Sequence, residues 1–88
     1  MNDELVQQLL PQIADLLKKV GLRQWEEKIR SAGVLLKSDS LAGRSELLSL
    51  FGGMGSLNDV IIYKGKELAL TENDELDALR QKLYDALH

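Results

Sequence analysis

The 88-residue sequence contains no cysteine, and its only histidine is the last residue, His88. Without cysteine the chain can form no disulfide, no thiolate metal site and no cysteine nucleophile. With one histidine it can supply neither a histidine pair for a metal nor a well-held base for a serine nucleophile. We therefore predict no catalytic residues, no metal site and no cofactor, and we interpret the chain as a non-enzyme.

Long apolar runs and an excess of positive charge are also absent. The longest uncharged stretch, residues 47–58, is too short to span a bilayer, and the first residues lack the pattern of a secretory signal. Together with the absence of cysteine, these features favour the cytoplasm and exclude a membrane partner. A net charge of −3 disfavours nucleic acid as a partner, because binding to it depends on neutralising phosphates.

The composition that remains is typical of a folded protein. Hydrophobic residues make up 44% of the chain and charged residues 28%, which is too apolar for a disordered segment. The length and the lack of a linker predict a single domain over residues 1–88. Because so small a domain buries little apolar surface, we expect it to bind a protein partner or to associate as a homodimer.

Apolar residues recur at spacings of three and four along the first half of the chain, which is the pattern of amphipathic helices. The first helix is predicted over Asp3–Val20, capped by Asn2 or Asp3 and ended by Gly21. Pro11 lies in the middle of this segment, but the apolar stripe keeps its phase on both sides of it. We therefore predict one kinked helix rather than two.

Two further helices are predicted before the glycine-rich segment that begins at Gly52. One covers Leu22–Lys37, where Gly33 suggests a close crossing by another backbone. The next covers Leu41–Phe51, with Leu41 facing inward and Gly52 ending the helix in a left-handed conformation.

The last third of the sequence predicts a hairpin followed by a helix. Two β-prone segments, Val60–Tyr63 and Glu67–Leu70, flank a turn that contains Gly65. The final helix is predicted to start at Thr71, with Asp74 completing a variant of the capping box. The predicted fold is therefore mainly α, a small bundle of about four helices with a short β-hairpin between the third and fourth helices.

The helical stripes also predict which side chains form the core. We expect eight of the residues on these stripes to be buried. They are Leu9, Ile13, Trp25, Ile29, Phe51, Leu76, Leu79 and Leu83.

A glycine-rich segment at residues 52–59 is the least ordinary part of the sequence. Its order of helix, glycines and strand differs from that of a phosphate-binding loop, in which the glycines precede a helix. We interpret it as a helix stop with a tight crossing, so that Gly52, Gly53 or Gly55 should have a positive φ. Asn58 and Asp59 would form a turn before the strand.

Charge is unevenly distributed along the chain. Residues 16–37 carry six basic and two acidic side chains, whereas residues 67–88 carry six acidic and two basic ones. The simpler interpretation is that these segments pack with complementary surfaces or are merely solvated. The alternative is that the acidic last helix attracts a basic partner.

The segment Phe-Gly-Gly-Met-Gly-Ser-Leu-Asn-Asp at residues 51–59 resembles the signature of a family of small, uncharacterised bacterial proteins. Trp25 in a preceding helix, and Leu76, Leu79 and Tyr84 in the last helix, are similar to the rest of that family's outline. Small acidic proteins of this style are often immunity proteins that neutralise bacterial toxins. The resemblance thus suggests such a role by analogy.

These observations predict a non-enzymatic protein-binding domain, most plausibly an immunity protein that occludes the active site of a toxin. The alternatives are a small homo-oligomeric structural domain and a phage- or plasmid-encoded inhibitor of a host defence enzyme. The candidate partner-binding residues lie in the glycine-rich segment and on the last helix. They are Gly53, Met54, Ser56, Asn58, Asp59, Asp74, Asp77 and Asp85.

Truncation of Leu79 tests the predicted core. We expect Leu79→Ala to lower the free energy of unfolding by roughly 2–5 kcal/mol, because it removes buried methyl groups and leaves a cavity. Urea unfolding followed by circular dichroism measures the change. Unaltered stability would mean that the inward face of the last helix has been assigned incorrectly.

Overall fold

The computed structural model describes residues 2–52 and 56–88. It confirms a mainly α fold of four helices with a short antiparallel hairpin between the third and the fourth. The elements are α1 (Asp3–Lys19), α2 (Arg23–Ser38), α3 (Ser40–Leu50), a 3-10 turn (Leu57–Asp59), β1 (Tyr63–Lys64), β2 (Glu67–Leu68) and α4 (Leu70–Leu87).

Helix α1 is central to the packing, because it contacts both α2 and α4, while α3 packs against α2. The Asn2 side chain caps α1 by accepting a hydrogen bond from the Leu5 backbone, and Gly21 follows the helix with a φ of 80°. Pro11 lies inside α1 at an exposed position, and the helix continues through it, as the phase of the stripe predicted. The central position of α1 explains its seven buried residues: Val6, Leu9, Leu10, Ile13, Ala14, Leu16 and Leu17.

The close backbone crossing lies at Gly43 in α3 and not at Gly33. A Cβ atom at Gly43 would lie 2.4 Å from the Cα of Leu36, so only glycine permits α3 to approach α2 this closely. At Gly33 the nearest atom to an added Cβ is a side-chain carbon of Leu10, at 3.4 Å, which is ordinary contact. Gly33 is buried, but among the described residues only side-chain atoms of Leu10 and Gln7 lie within 4 Å of an added Cβ.

Six of the eight residues predicted to form the core are buried, and the prediction is wrong for the other two. Trp25 and Phe51 are only partly buried, packed against the edge of the core. Leu41, which was expected to face inward, is 77% exposed. Gly43 determines this outcome, because its contact with α2 sets the inward face of α3, and Leu41 lies nearly opposite it around the helix.

The hairpin is shorter than the sequence predicted. Tyr63 pairs with Leu68 and Lys64 with Glu67, around a turn in which Gly65 has a φ of 63°. The predicted strands each lose residues to neighbouring elements, since the Val60 N–H completes the 3-10 turn and the chain enters α4 after Ala69. Gly52 does not have a positive φ, so the predicted left-handed stop is wrong at that residue; Gly53 and Gly55 lie outside the described residues.

Helix α4 begins at Leu70 without the predicted capping box of Thr71 and Asp74. Its N-cap is Ala69, which has no side chain to accept a hydrogen bond. Instead, the Asn73 side chain joins the helix to the hairpin. Its carboxamide oxygen accepts from Ile62 N at 2.9 Å, and its nitrogen donates to the carbonyls of Ile62 and Ala69 at 2.8 and 2.9 Å. Because hydrogen bonds with Ile62 and Asn73 fix the backbone at Ala69, the helix begins at the next residue, Leu70.

Helix α4 packs mainly against α1 and not against α2, which carries most of the basic segment. Arg30 of α2 instead contacts Asp15 of α1 at 3.0 Å and Glu26 at 2.8 Å. The hydrogen bonds with Asp15 and then Glu26 raise the pKa of Arg30 above its ordinary value. Within the described residues, no helix is long and apolar enough to cross a membrane.

Alanine at the two buried helical glycines should have opposite effects. We expect Gly43→Ala to destabilise the protein by about 1–3 kcal/mol, because the added methyl group meets the α2 backbone. We expect Gly33→Ala to be neutral or stabilising by up to about 1 kcal/mol, because the site has room and alanine favours a helix. Thermal and urea unfolding of both variants compares them directly. Equal effects would argue against the close α2–α3 crossing.

Candidate partner-binding surface

One flank of α4 holds the chain between α3 and the hairpin. Asn73, Arg80 and Tyr84 are spaced by seven and four residues, so they share this flank of the helix. Asn73 binds the backbone of Ile62, as described above. Tyr84 contacts Phe51, which precedes residues 53–55, and Arg80 contacts Leu57, which follows them. This flank therefore contacts the chain at Phe51, Leu57, Val60 and Ile62.

Arg80 makes the central contact of this flank. Its Nη1 donates to the Leu57 carbonyl at 2.7 Å and to the Val60 carbonyl at 3.0 Å, and its Nη2 donates to the Asp77 carboxylate. The side chain of Arg80 is only 10% exposed, whereas that of Asp77 is 64% exposed. Asp77 therefore offsets a largely buried positive charge and orients its donors toward the 3-10 turn.

Tyr84 contacts the chain at Phe51, on the N-terminal side of residues 53–55. Its ring lies edge-to-face with Phe51, at 5.7 Å between centroids and an interplanar angle of 77°. The same ring stacks on His88 at 4.1 Å. Phe51 is only partly buried because it packs against Tyr84, a side chain that is itself exposed on α4.

Two of the predicted site residues, Asn58 and Asp77, lie in one open cleft beside α4. Among the described residues, Arg80, Gln81 and Tyr84 also line this cleft, which has a volume of about 610 Å³. The structure thus brings together one residue of the glycine-rich signature and one acid of the last helix, although they are far apart in sequence.

A second recess contains Ser56 and Asp59. It has a volume of about 240 Å³ and is lined by Trp25, Val60 and Ile61 among others. Ser56 itself is buried, so little of its side chain is available to a partner. The recess joins the tryptophan of α2 to the end of the glycine-rich segment.

The remaining predicted residues are dispersed. Asp85 accepts a hydrogen bond from the Gln81 amide at 3.0 Å and lines a recess near Asn2, and Asp74 is exposed on the first turns of α4. Gly53 and Met54 lie outside the described residues. The predicted site is therefore a set of neighbouring surfaces rather than one pocket.

The hairpin carries an apolar surface that lies outside the predicted partner-binding residues. Ile61, Tyr63, Leu68 and Leu70 are each more than half exposed, and the pairing of Tyr63 with Leu68 places these two side chains on the same face of the hairpin. No alternation of polar and apolar residues marks this face in the sequence, because residues 60–63 are all apolar; the structure shows that Ile62 and Ala69, between the exposed residues, are buried. Contiguous exposed apolar residues of this kind mark interaction surfaces.

A buried carboxylate also ties the hairpin to α4. Glu72 contacts Lys64 of β1 at 3.1 Å through Oε1, and its Oε2 is buried without a hydrogen-bond partner within the described part of the chain.

No group of three or more acidic or histidine side chains within residues 2–52 and 56–88 is arranged to hold a metal ion.

Comparison with known proteins gives one match. A family model described as Domain of unknown function (DUF6966) matches residues 18–69, which is more than half of the chain. The match includes α2, α3 and the hairpin, and it ends before α4. Comparison with curated proteins and with solved structures found no match.

Removal of the Arg80 guanidinium should loosen the segment that it holds. We expect Arg80→Gln to lower the free energy of unfolding by roughly 1.5–3 kcal/mol, because the carbonyls of Leu57 and Val60 lose a charged donor. Lys82→Gln removes the same charge from an exposed position of α4 and is the matched control. Urea unfolding and the NMR amide shifts of residues 57–62 measure the effect. Equal stability of the two variants would contradict the role assigned to Arg80.

Proposed function

The chain belongs to the DUF6966 family, and we propose that this member is a non-enzymatic protein-binding domain that acts as an immunity protein in the cytoplasm. It would neutralise a bacterial toxin by covering a basic active-site cleft. The observation that carries the proposal is the continuity between an exposed apolar hairpin face and an acidic face of α4.

Leu70 connects these two surfaces. It is 70% exposed and belongs to the hairpin's apolar group, yet it is also the first residue of α4. Asp74, Asp77 and Gln81 follow it at spacings of four, three and four, so all four lie on one face of the helix. A partner placed against this face would meet Leu70 at one end and then the carboxylates of Asp74 and Asp77. Asp85 continues the same face four residues beyond Gln81.

This distribution suits a protein partner with a basic surface. Apolar contacts at the hairpin would supply buried area, while the carboxylates of α4 would attract positive charge and increase the rate of encounter. A toxin that acts on nucleic acid or on another anionic substrate needs a positively charged cleft. An acidic helix laid across such a cleft would exclude the substrate from it.

The apolar hairpin face also supports a second candidate, a homo-oligomeric structural domain. Two copies could cover each other's exposed Tyr63 and Leu68 by docking symmetrically. This candidate needs no acidic face and no partner, and it predicts a dimer whose population increases with protein concentration. The two functions are therefore separable by experiment.

Reversal of two acids on α4 tests the proposed function. The product of the neighbouring gene serves as the candidate toxin, and we expect Asp74→Lys combined with Asp85→Lys to slow its association at least about tenfold at low salt. The difference should shrink at high salt because mobile ions screen exposed charges. Asp77 is left intact because its carboxylate contacts Arg80. Stopped-flow or biosensor kinetics at two salt concentrations provide the measurement.

A matched control separates the position of the charges from their number. Glu27→Lys combined with Glu46→Lys changes the net charge equally at exposed positions of α2 and α3, and it should bind like the unaltered protein. If both double variants bind alike, the acidic face of α4 is not the recognition surface. A concentration-dependent homodimer that ignores the neighbouring product would favour the structural domain instead.

A further inference from the structure

We infer that the cleft formed by Asn58, Asp77, Gln81 and Tyr84 receives a guanidinium side chain of the partner protein. This inference rests on the proposed function and specifies the chemistry of one contact within it. It assigns an arginine of the partner to an open cleft of about 610 Å³ at the edge of the acidic face.

The exposed lining of the cleft is rich in hydrogen-bond acceptors. Asp77 uses Oδ1 to bind Arg80, so its second carboxylate oxygen remains as an acceptor on a largely exposed side chain. The amide nitrogen of Gln81 donates to Asp85, and its carbonyl oxygen therefore remains for another donor. The side-chain carbonyl of Asn58 adds a third acceptor to the lining. A guanidinium supplies five N–H donors in one plane, enough for these three groups together.

Arg80 does not make this cleft a site for anions. Its Nη1 donates to two backbone carbonyls and its Nη2 to Asp77, and its side chain is nine-tenths buried. The guanidinium is thus turned toward the protein, while the carboxylate of Asp77 faces solvent to a much greater extent. Asp74 and Asp85 lie about one turn away on either side along α4 and add negative potential.

The same contact would place the partner's arginine at an energetically important position. Arginine is enriched among the residues that dominate protein interfaces, and Tyr84, an aromatic residue, also lines the cleft. The rigid support of Asp77 by Arg80 means that the acceptor is already in place before binding, which lowers the entropy lost on association.

The inference is tested without the partner, by titrating the full chain with N-acetyl-argininamide and following the NMR spectrum. We expect saturable shifts of the Asn58 and Gln81 side-chain amides in the millimolar range of probe. N-acetyl-citrullinamide, which has the same shape without the charge, should shift these signals at least about fivefold less.

Two substitutions of equal charge locate the effect. Gln81→Lys places a competing ammonium group in the cleft and should abolish the saturable response of Asn58. Ala78→Lys adds the same charge at an exposed position outside the lining and should preserve the response. Equal responses to both probes, or equal losses in both variants, would overturn the inference.

The outcomes separate this inference from the proposed function. If charge reversal on α4 slows the partner's association but the arginine probe does not bind, the function stands and the cleft assignment is wrong. If the probe binds and the neighbouring gene product does not, the cleft recognises a guanidinium but the proposed toxin is not the partner.

Discussion

The guanidinium of Arg80 is the contact on which the packing of the 3-10 turn against α4 depends. It donates to the carbonyls of Leu57 and Val60 from a largely buried position, and the nearby carboxylate of Asp77 offsets its charge. A buried guanidinium is costly to desolvate unless its donors are satisfied, so the backbone of the 3-10 turn and the helix stabilise each other. Loss of this guanidinium would remove the two hydrogen bonds by which Arg80 joins the 3-10 turn to α4.

The arrangement around Arg80 also determines what remains available for a partner. Asp77 has a structural contact through one oxygen and an acceptor left on the other, whereas Asp74 and Asp85 lie on the exposed face of α4. The acids that seemed equivalent in sequence therefore have different roles. Asp77 therefore contributes to stability through one oxygen, while the proposed contact with a partner would use the other.

The predictable parts of the fold were those governed by local periodicity. The stripes of α1 and α4, the cap at Asn2 and the glycine turn at Gly65 follow from spacing and backbone preference, which act over a few residues. The inward face of α3 could not be predicted in the same way, because its leucines occupy several sides of the helix. Gly43, through its contact with Leu36, selects one of these sides.

The sequence by itself determined the fold class, the distribution of charge and the absence of cysteine chemistry, because each depends on composition or on neighbours along the chain. Only the tertiary structure decided that Asn73 joins α4 to the hairpin, that Arg80 binds the 3-10 turn and that Asn58 and Asp77 share a cleft. These contacts join residues that are 11 to 23 positions apart. Their geometry depends on how α4 packs against α1, and no local pattern encodes that packing.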